Sequence, residues 1–237
     1  MKPLPIPPAA LRGDNCSDPY HWLRDKNNPA AIEYLNAENR YTESIMQPTE
    51  ALREKLYREI LGRVKETDLG VPTYHGGYFY YTRTEKGKQY AIYCRKQASA
   101  ADSSLDAPEQ VLLDANELAV GQKYFRIGVY QPSPDHRLLA YSTDVEGDEV
   151  YTVRIKDLGT GQLLPDTVPG TGAALEWAND NRTFFYTTLD PAKRPYKVYR
   201  YQLGGGNSQA VEVYHEPDER FNVDVAKSKS DAYLFLD

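Results

Sequence analysis

Cysteine is scarce in this chain: only Cys16 and Cys94 occur among 237 residues, so at most one disulfide can form. That excludes a disulfide framework and fits a reducing compartment. No stretch approaches the roughly 18 consecutive apolar residues that a membrane helix needs. The opening segment MKPLPIPPAALRGD carries Lys2, but Pro3, Pro5, Pro7 and Pro8 interrupt it and no continuous apolar run follows. It reads as an extended arm rather than a secretory signal, and a cytoplasmic location without a membrane partner is expected. An excess of basic residues is also lacking. Lys and Arg total 28 against 34 Asp and Glu, a net charge of -6. Such a chain has no electrostatic footprint for nucleic acid or anionic lipid.

Catalytic signatures are missing as well. A nucleophile elbow, G-x-S-x-G between a strand and a helix, is absent. The nearest string, Gly206-Asn207-Ser208-Gln209-Ala210, lacks the second glycine and reads as a hairpin turn. Phosphate-binding loops are absent, and Gly204-Gly205-Gly206 reads as a flexible connection. The histidines His21, His75, His136 and His215 form no H-E-x-x-H or other short ligand pair. His136, in the string SPDHR, is expected to be a surface turn residue, and His75 to cap a strand. Cys16 and Cys94 are too few and too far apart for a recognisable metal site. Asp144, Glu146, Asp148 and Glu149 do not match a calcium loop, and read as a solvated hairpin tip. The residues therefore nominate no catalytic, cofactor-binding or metal site, and no cofactor.

Tyrosine is the abundance that stands out, with 20 Tyr against 6 Phe and 2 Trp. A tyrosine ring packs on a half-buried sheet while its hydroxyl stays at a wet edge, so the composition leans toward β structure. With 41% hydrophobic and 26% charged residues, the chain can bury a core and is neither membrane-embedded nor wholly disordered.

Two regimes divide it. Residues 1–70 form an amino-terminal extension with two helices. Asn28 caps a helix with Pro29 at its first position, and Ile32, Leu35, Thr42, Ile45 and Met46 fall mostly on one face. Pro48 ends that helix or sets up the next. Thr49 caps the second, where Leu52, Leu56, Ile60 and Leu61 form an apolar stripe, and Gly62 stops it. The simplest reading is that these helices cover part of a core. Ahead of them, DPYHWLRD places Tyr20 and Trp22 where they could anchor the arm, with Arg24 and Asp25 in local polar contacts.

From residue 71 to 237 the period shifts toward 2. Strand–turn–strand units recur: YFYYTR with QYAIYCRK, RLLAYSTD with EVYTVRIKDL, TFFYTTLD with YKVYRYQLG, then AYLFLD. Aligning Tyr80, Tyr141, Phe185 and Leu234 gives spacings of 61, 44 and 49 residues. The last two suit the four-stranded blade of a β-propeller, of about 40–50 residues. The polar loop ASAADSSLDAP lengthens the first. A small twisted sheet cannot cover both of its faces, whereas blades packed radially can; an irregular β-sandwich is the alternative. The segment supplies about three blades and the start of a fourth, and ends on an apolar strand. That points to part of a larger protein or a truncated gene product.

DPYHWLRD, NPAAIEYLNAENRYTESIM and LREKLYREILGRV resemble the amino-terminal part of the prolyl oligopeptidase family of serine peptidases, and within it the oligopeptidase B (protease II) subfamily. The strings GYFYYTRTEKGKQYAIYCRK, VLLDAN, SPDHRLLAYSTD, VRIKDLGTG, WANDNRTFFYT and PYKVYR are similar to that subfamily's propeller, in the same order. The resemblance implies a mainly β fold: an incomplete seven-bladed β-propeller preceded by an α-helical extension. It also implies a missing carboxy-terminal α/β-hydrolase domain as partner, on which the extension packs. Short peptides would be cleaved after Arg or Lys, with the propeller restricting substrate size. The family's Ser–Asp–His triad would lie beyond Asp237, so no triad residue is assigned here and the chain alone is expected to be inactive. The alternative is a stand-alone propeller-like protein-interaction module, or a decayed gene product without peptidase activity.

Overall fold

The computed structural model describes residues 18–98, 107–205 and 210–237. The chain divides into two compact units between Lys65 and Glu66. In the first, a 3-10 turn at His21–Arg24 leads to α1 (Pro29–Met46), a second 3-10 turn at Gln47–Thr49, and α2 (Glu50–Leu61). The Asn28 side chain accepts a hydrogen bond from the Ala30 N–H at 3.0 Å, with Pro29 in the first turn as its spacing predicts. Thr49 behaves differently. Its hydroxyl donates back to the Met46 carbonyl at 2.7 Å and caps nothing, because the short 3-10 turn already carries the chain from α1 into α2. Gly62 ends α2 without left-handed backbone. Trp22 packs edge-on against Tyr34 of α1, and its indole N–H donates to the Pro19 carbonyl. Ile32, Leu35, Ile45, Leu52, Leu56 and Ile60 are all exposed, so the apolar stripes of both helices lie open. No described helix is long and apolar enough to cross a membrane.

The second unit is built from strands. The first blade is an antiparallel sheet of β1 (Thr73–His75), β2 (Tyr78–Arg83), β3 (Ile92–Gln97) and β4 (Gln110–Asp114), in that order. Residues 66–70 belong with it: the Gly70 N–H donates to the Thr82 carbonyl, and the Thr84 hydroxyl to that of Glu66. A short helix, α3 (Ala115–Leu118), follows. The next seven strands are β5 (Arg126–Pro132), β6 (Leu138–Asp144), β7 (Tyr151–Asp157), β8 (Leu163–Trp177), β9 (Thr183–Leu189), β10 (Pro195–Gln202) and β11 (Val211–His215). They form one sheet in sequential order.

That sheet is two blades sharing a strand. β8 is 15 residues long; its first part pairs with β7, its last part with β9, and Thr171 pairs with both Tyr151 and Thr188. Gly170, at φ +74°, lets the chain turn there without leaving the ladder. β12 (Val225–Lys227) and β13 (Leu234–Leu236) pair as the opening of a fourth blade. Tyr80, Tyr141, Phe185 and Leu234 all fall on the second strand of their blades, so the repeat register holds. The first strands β5 and β8 do not show in the alternation, because Gly128 and Pro132 in one and Pro165, Pro169 and Gly170 in the other break the β pattern.

Packing explains the arrangement. Successive residues of a strand face opposite sides of its sheet. On β6, Leu139 and Tyr141 join Leu112, Leu113 and Leu158 in a core against the first blade. Ala140 between them joins Val153, Ile155, Trp177 and Phe184 in a core against the third. Both faces of the second blade are therefore covered, which leaves six of the seven β6 residues buried.

Trp177 is 1% exposed, stands edge-on to Phe184 at 5.5 Å, and donates its indole N–H to the Gln131 carbonyl at 2.9 Å. Trp177→Ala is expected to destabilise the intact protein by about 3–5 kcal/mol. Urea unfolding checks this, and a loss below ~1 kcal/mol would contradict the packing described.

Candidate functional site at the leading hairpins

Each blade opens with a hairpin between its first two strands, and these hairpins gather at one place. The turns of the second, third and fourth blades share one hydrogen-bond plan. The N–H groups of Ser133, Ala178 and Ser228 donate to the carbonyls of Leu138, Thr183 and Tyr233, five residues on in each case. The fourth residue of each turn is left-handed: His136 at φ 59°, Asn181 at 58° and Asp231 at 57°. Asn, Asp and His are the non-glycine residues most tolerant of that region. In the first blade the corresponding turn is Gly76-Gly77, with Gly76 at φ +56°.

Neighbouring turns are linked. The Asp135 N–H donates to Asn181 Oδ1 at 2.8 Å, and Asn179 Nδ2 donates to the Asp231 carbonyl at 2.7 Å. A cleft of about 190 Å³ opens beside them, lined by His75, Gln131, Glu176, Trp177, Lys227 and Asp231 among others. Gln131 and Glu176 occupy the same repeat position, two residues ahead of their turns, and approach at 3.3 Å. Burial raises the Glu176 carboxyl above the usual carboxylate range, and the Lys227 charge only partly offsets it. The cleft thus presents carboxylate, amide and ammonium groups from successive blades.

The seam between the first two blades is polar and tightly closed. Arg95 on β3 is 5% exposed. Its guanidinium donates to the His136 carbonyl at 2.6 Å, to Gln110 Oε1 at 2.8 Å and to the Tyr80 hydroxyl at 3.3 Å, and it lies 4.0 Å from the centre of the Tyr78 ring. Gln110 Nε2 donates across to the Leu158 carbonyl, and Lys156 Nζ donates to that of Leu112. The Tyr80 hydroxyl meets His136 Nδ1 at 2.7 Å, and the His75 ring stands edge-on to His136 at 4.8 Å.

His136 is thus a wedge between blades, 6% exposed, and not the surface turn residue its string suggests. His75 is the last residue of β1, beside that wedge. His21 lies in the first 3-10 turn, and His215 on β11 packs edge-on against Tyr196. Asp144 also departs from expectation. It is buried, and its carboxylate accepts from the Glu146, Gly147 and Glu149 N–H groups, so it organises the turn while Glu146, Asp148 and Glu149 stay exposed. Cys94 is buried and its thiol is pushed up to about 11, chiefly by burial. Cys16 and Ser208 lie outside the described residues. Among the described residues no group of three or more His, Cys, Asp or Glu could hold a metal ion. Arg95, Gln131 and Glu176 escape sequence reasoning one strand at a time. Superposing the repeats on their turn residues is the signal that would have found the latter two.

Radially packed four-stranded blades, with linked leading hairpins, define a β-propeller. A profile described as the prolyl oligopeptidase N-terminal β-propeller domain matches residues 7–237. The chain belongs to the prolyl oligopeptidase family, as its amino-terminal propeller portion. It is 40% identical over 231 residues to "Protease 2" of Moraxella lacunata, covering 97% of this chain and 34% of that protein. It is 41% identical to "Dipeptidyl aminopeptidase BI" of Pseudoxanthomonas mexicana, covering 96% and 33%. Oligopeptidase B from Leishmania major superposes with a TM-score of 0.86 at 34% identity, over 99% of this chain and 32% of that one. The chain thus spans about a third of the length of the relatives it matches.

Gly76 supports the seam twice: by its left-handed backbone, and because a Cβ there would lie 1.6 Å from His136 Nε2. Gly76→Ala is expected to cost about 1–2 kcal/mol from the backbone alone, and more as the His136 ring is displaced. Denaturant unfolding of the intact protein checks this; an unchanged midpoint would remove His136 from the seam.

Proposed function

We propose that this chain is the substrate-filtering, noncatalytic part of a serine oligopeptidase that cleaves short peptides after Arg or Lys. The observation that carries the reading is the likeness to the Leishmania major oligopeptidase B along nearly the whole chain, helical extension included. Its partner on this reading is a carboxy-terminal α/β-hydrolase domain. That domain would supply serine as nucleophile, histidine as base, aspartate to orient it, and an oxyanion hole. The propeller's contribution is exclusion. A cleft of about 190 Å³ at the leading hairpins has room for side chains but for no folded domain. The open apolar stripes of α1 and α2 are the surface that would dock on the hydrolase domain.

The isolated chain is expected to show no peptidase turnover and no labelling by a serine-reactive probe. The intact protein should cleave short Arg- and Lys-containing peptides internally, leave folded proteins intact, and prefer neither proline sites nor stepwise release of amino-terminal dipeptides. Dipeptide release as the main activity would favour the reading suggested by the Pseudoxanthomonas mexicana relative.

Docking makes a separate prediction. Leu56 is 47% exposed. Leu56→Asp should alter the isolated chain by no more than about 0.5 kcal/mol, the usual range for a surface change, while lowering the stability and activity of the intact protein. Equal effects in both would count against docking.

A further inference from the structure

The His136 wedge is a polar device whose hydrogen-bond directions can be worked out. An arginine can only donate. Arg95 donates to the Tyr80 oxygen and to the His136 carbonyl. The Tyr80 hydrogen is therefore free to donate to His136 Nδ1, completing a one-way chain from Arg95 through Tyr80 to a neutral imidazole. Protonating Nδ1 reverses the last link. The Tyr80 oxygen must then accept from both cations, and its own hydrogen loses its acceptor in a half-buried seam.

The groups that face His136 come from every element around it. They are His75 on β1, Tyr78 and Tyr80 on β2, Arg95 on β3, and Asp135 in its own turn. Asp135 is the carboxylate among them, and its Oδ1 already accepts from the Ser133 hydroxyl and the Arg137 N–H. Across the same seam, Lys156 brings a further half-buried cation to the Leu112 carbonyl. A charged His136 would enter a junction already rich in positive charge.

We propose that the seam between the first and second blades is a proton-sensitive latch: neutral His136 holds it closed, and protonation of His136 loosens it. Burial, then His75 and Arg95, hold the imidazole below its ordinary range, in agreement with the geometry. The sign follows. The closed seam favours the neutral ring, whereas an opened seam takes up a proton near the unperturbed value of about 6.5. The latch is fully effective above that pH and is lost progressively as pH falls below it.

The test is hydrogen exchange in the intact protein at pH 7.5, 6.5 and 5.5, corrected for intrinsic exchange rates. One linked proton predicts an opening constant larger at pH 5.5 than at 7.5 by up to about tenfold. The loss should be confined to Tyr78–Arg83 and residues 133–139, with β9 and β10 unchanged. His136→Asn keeps a residue suited to left-handed backbone, as at Asn181, and should reduce the response below about twofold. Tyr80→Phe removes the reversible link and should diminish the response, which keeps the idea testable if His136→Asn does not fold. His75→Asn should leave most of it. A wild-type seam insensitive to pH, loss spread equally over β9 and β10, an undiminished response in either seam variant, or its abolition by His75→Asn would each overturn the proposal.

Discussion

A small twisted sheet with two apolar faces has to cover both of them, and everything in the second unit follows from how that is done. β6 shows the constraint most directly. Leu139 and Tyr141 point into one core and Ala140 into the other, so this strand is solvable only between two neighbours. Radial stacking is the geometry that repeats the solution, and it makes every blade depend on the seams beside it.

The two main seams are closed by different chemistry. Between the second and third blades the core is large and aromatic, with Trp177, Phe184, Tyr186 and Tyr201 packed together. Between the first and second a smaller apolar cluster is bordered by Arg95, Gln110, Lys156 and His136, which satisfy one another or backbone carbonyls. Apolar packing is indifferent to pH, whereas a network of cations and one imidazole is not. The proposed latch therefore belongs to the first seam, while the second also holds titratable groups in Glu176 and Asp166.

The leading hairpins join the blades to one another. Their turn residues set the backbone that links blade to blade, and the strand ends just before them supply the cleft. The family profile spans residues 7–237 and so takes in both the helical unit and the strands, and the chain covers about a third of the relatives it matches.

Local pattern by itself determined a good deal. Asn28 and Pro29 announce α1 because capping is decided within a few residues. Tyrosine-rich alternation and the spacings of Tyr80, Tyr141, Phe185 and Leu234 announce the blades, because the repeat is written in the chain. The proline- and glycine-broken strands β5 and β8 were not legible, since their ladders are supplied by partners outside the segment. His136 and Asp144 depart from their sequence pattern for a related reason. Their strings are polar turns, and the preceding blade buries His136 while three backbone N–H groups satisfy the buried Asp144 carboxylate. Only tertiary structure decided that Arg95, Tyr80 and His136 meet, because 15 and 56 residues of chain separate Tyr80 from its two partners and no local period spans such gaps.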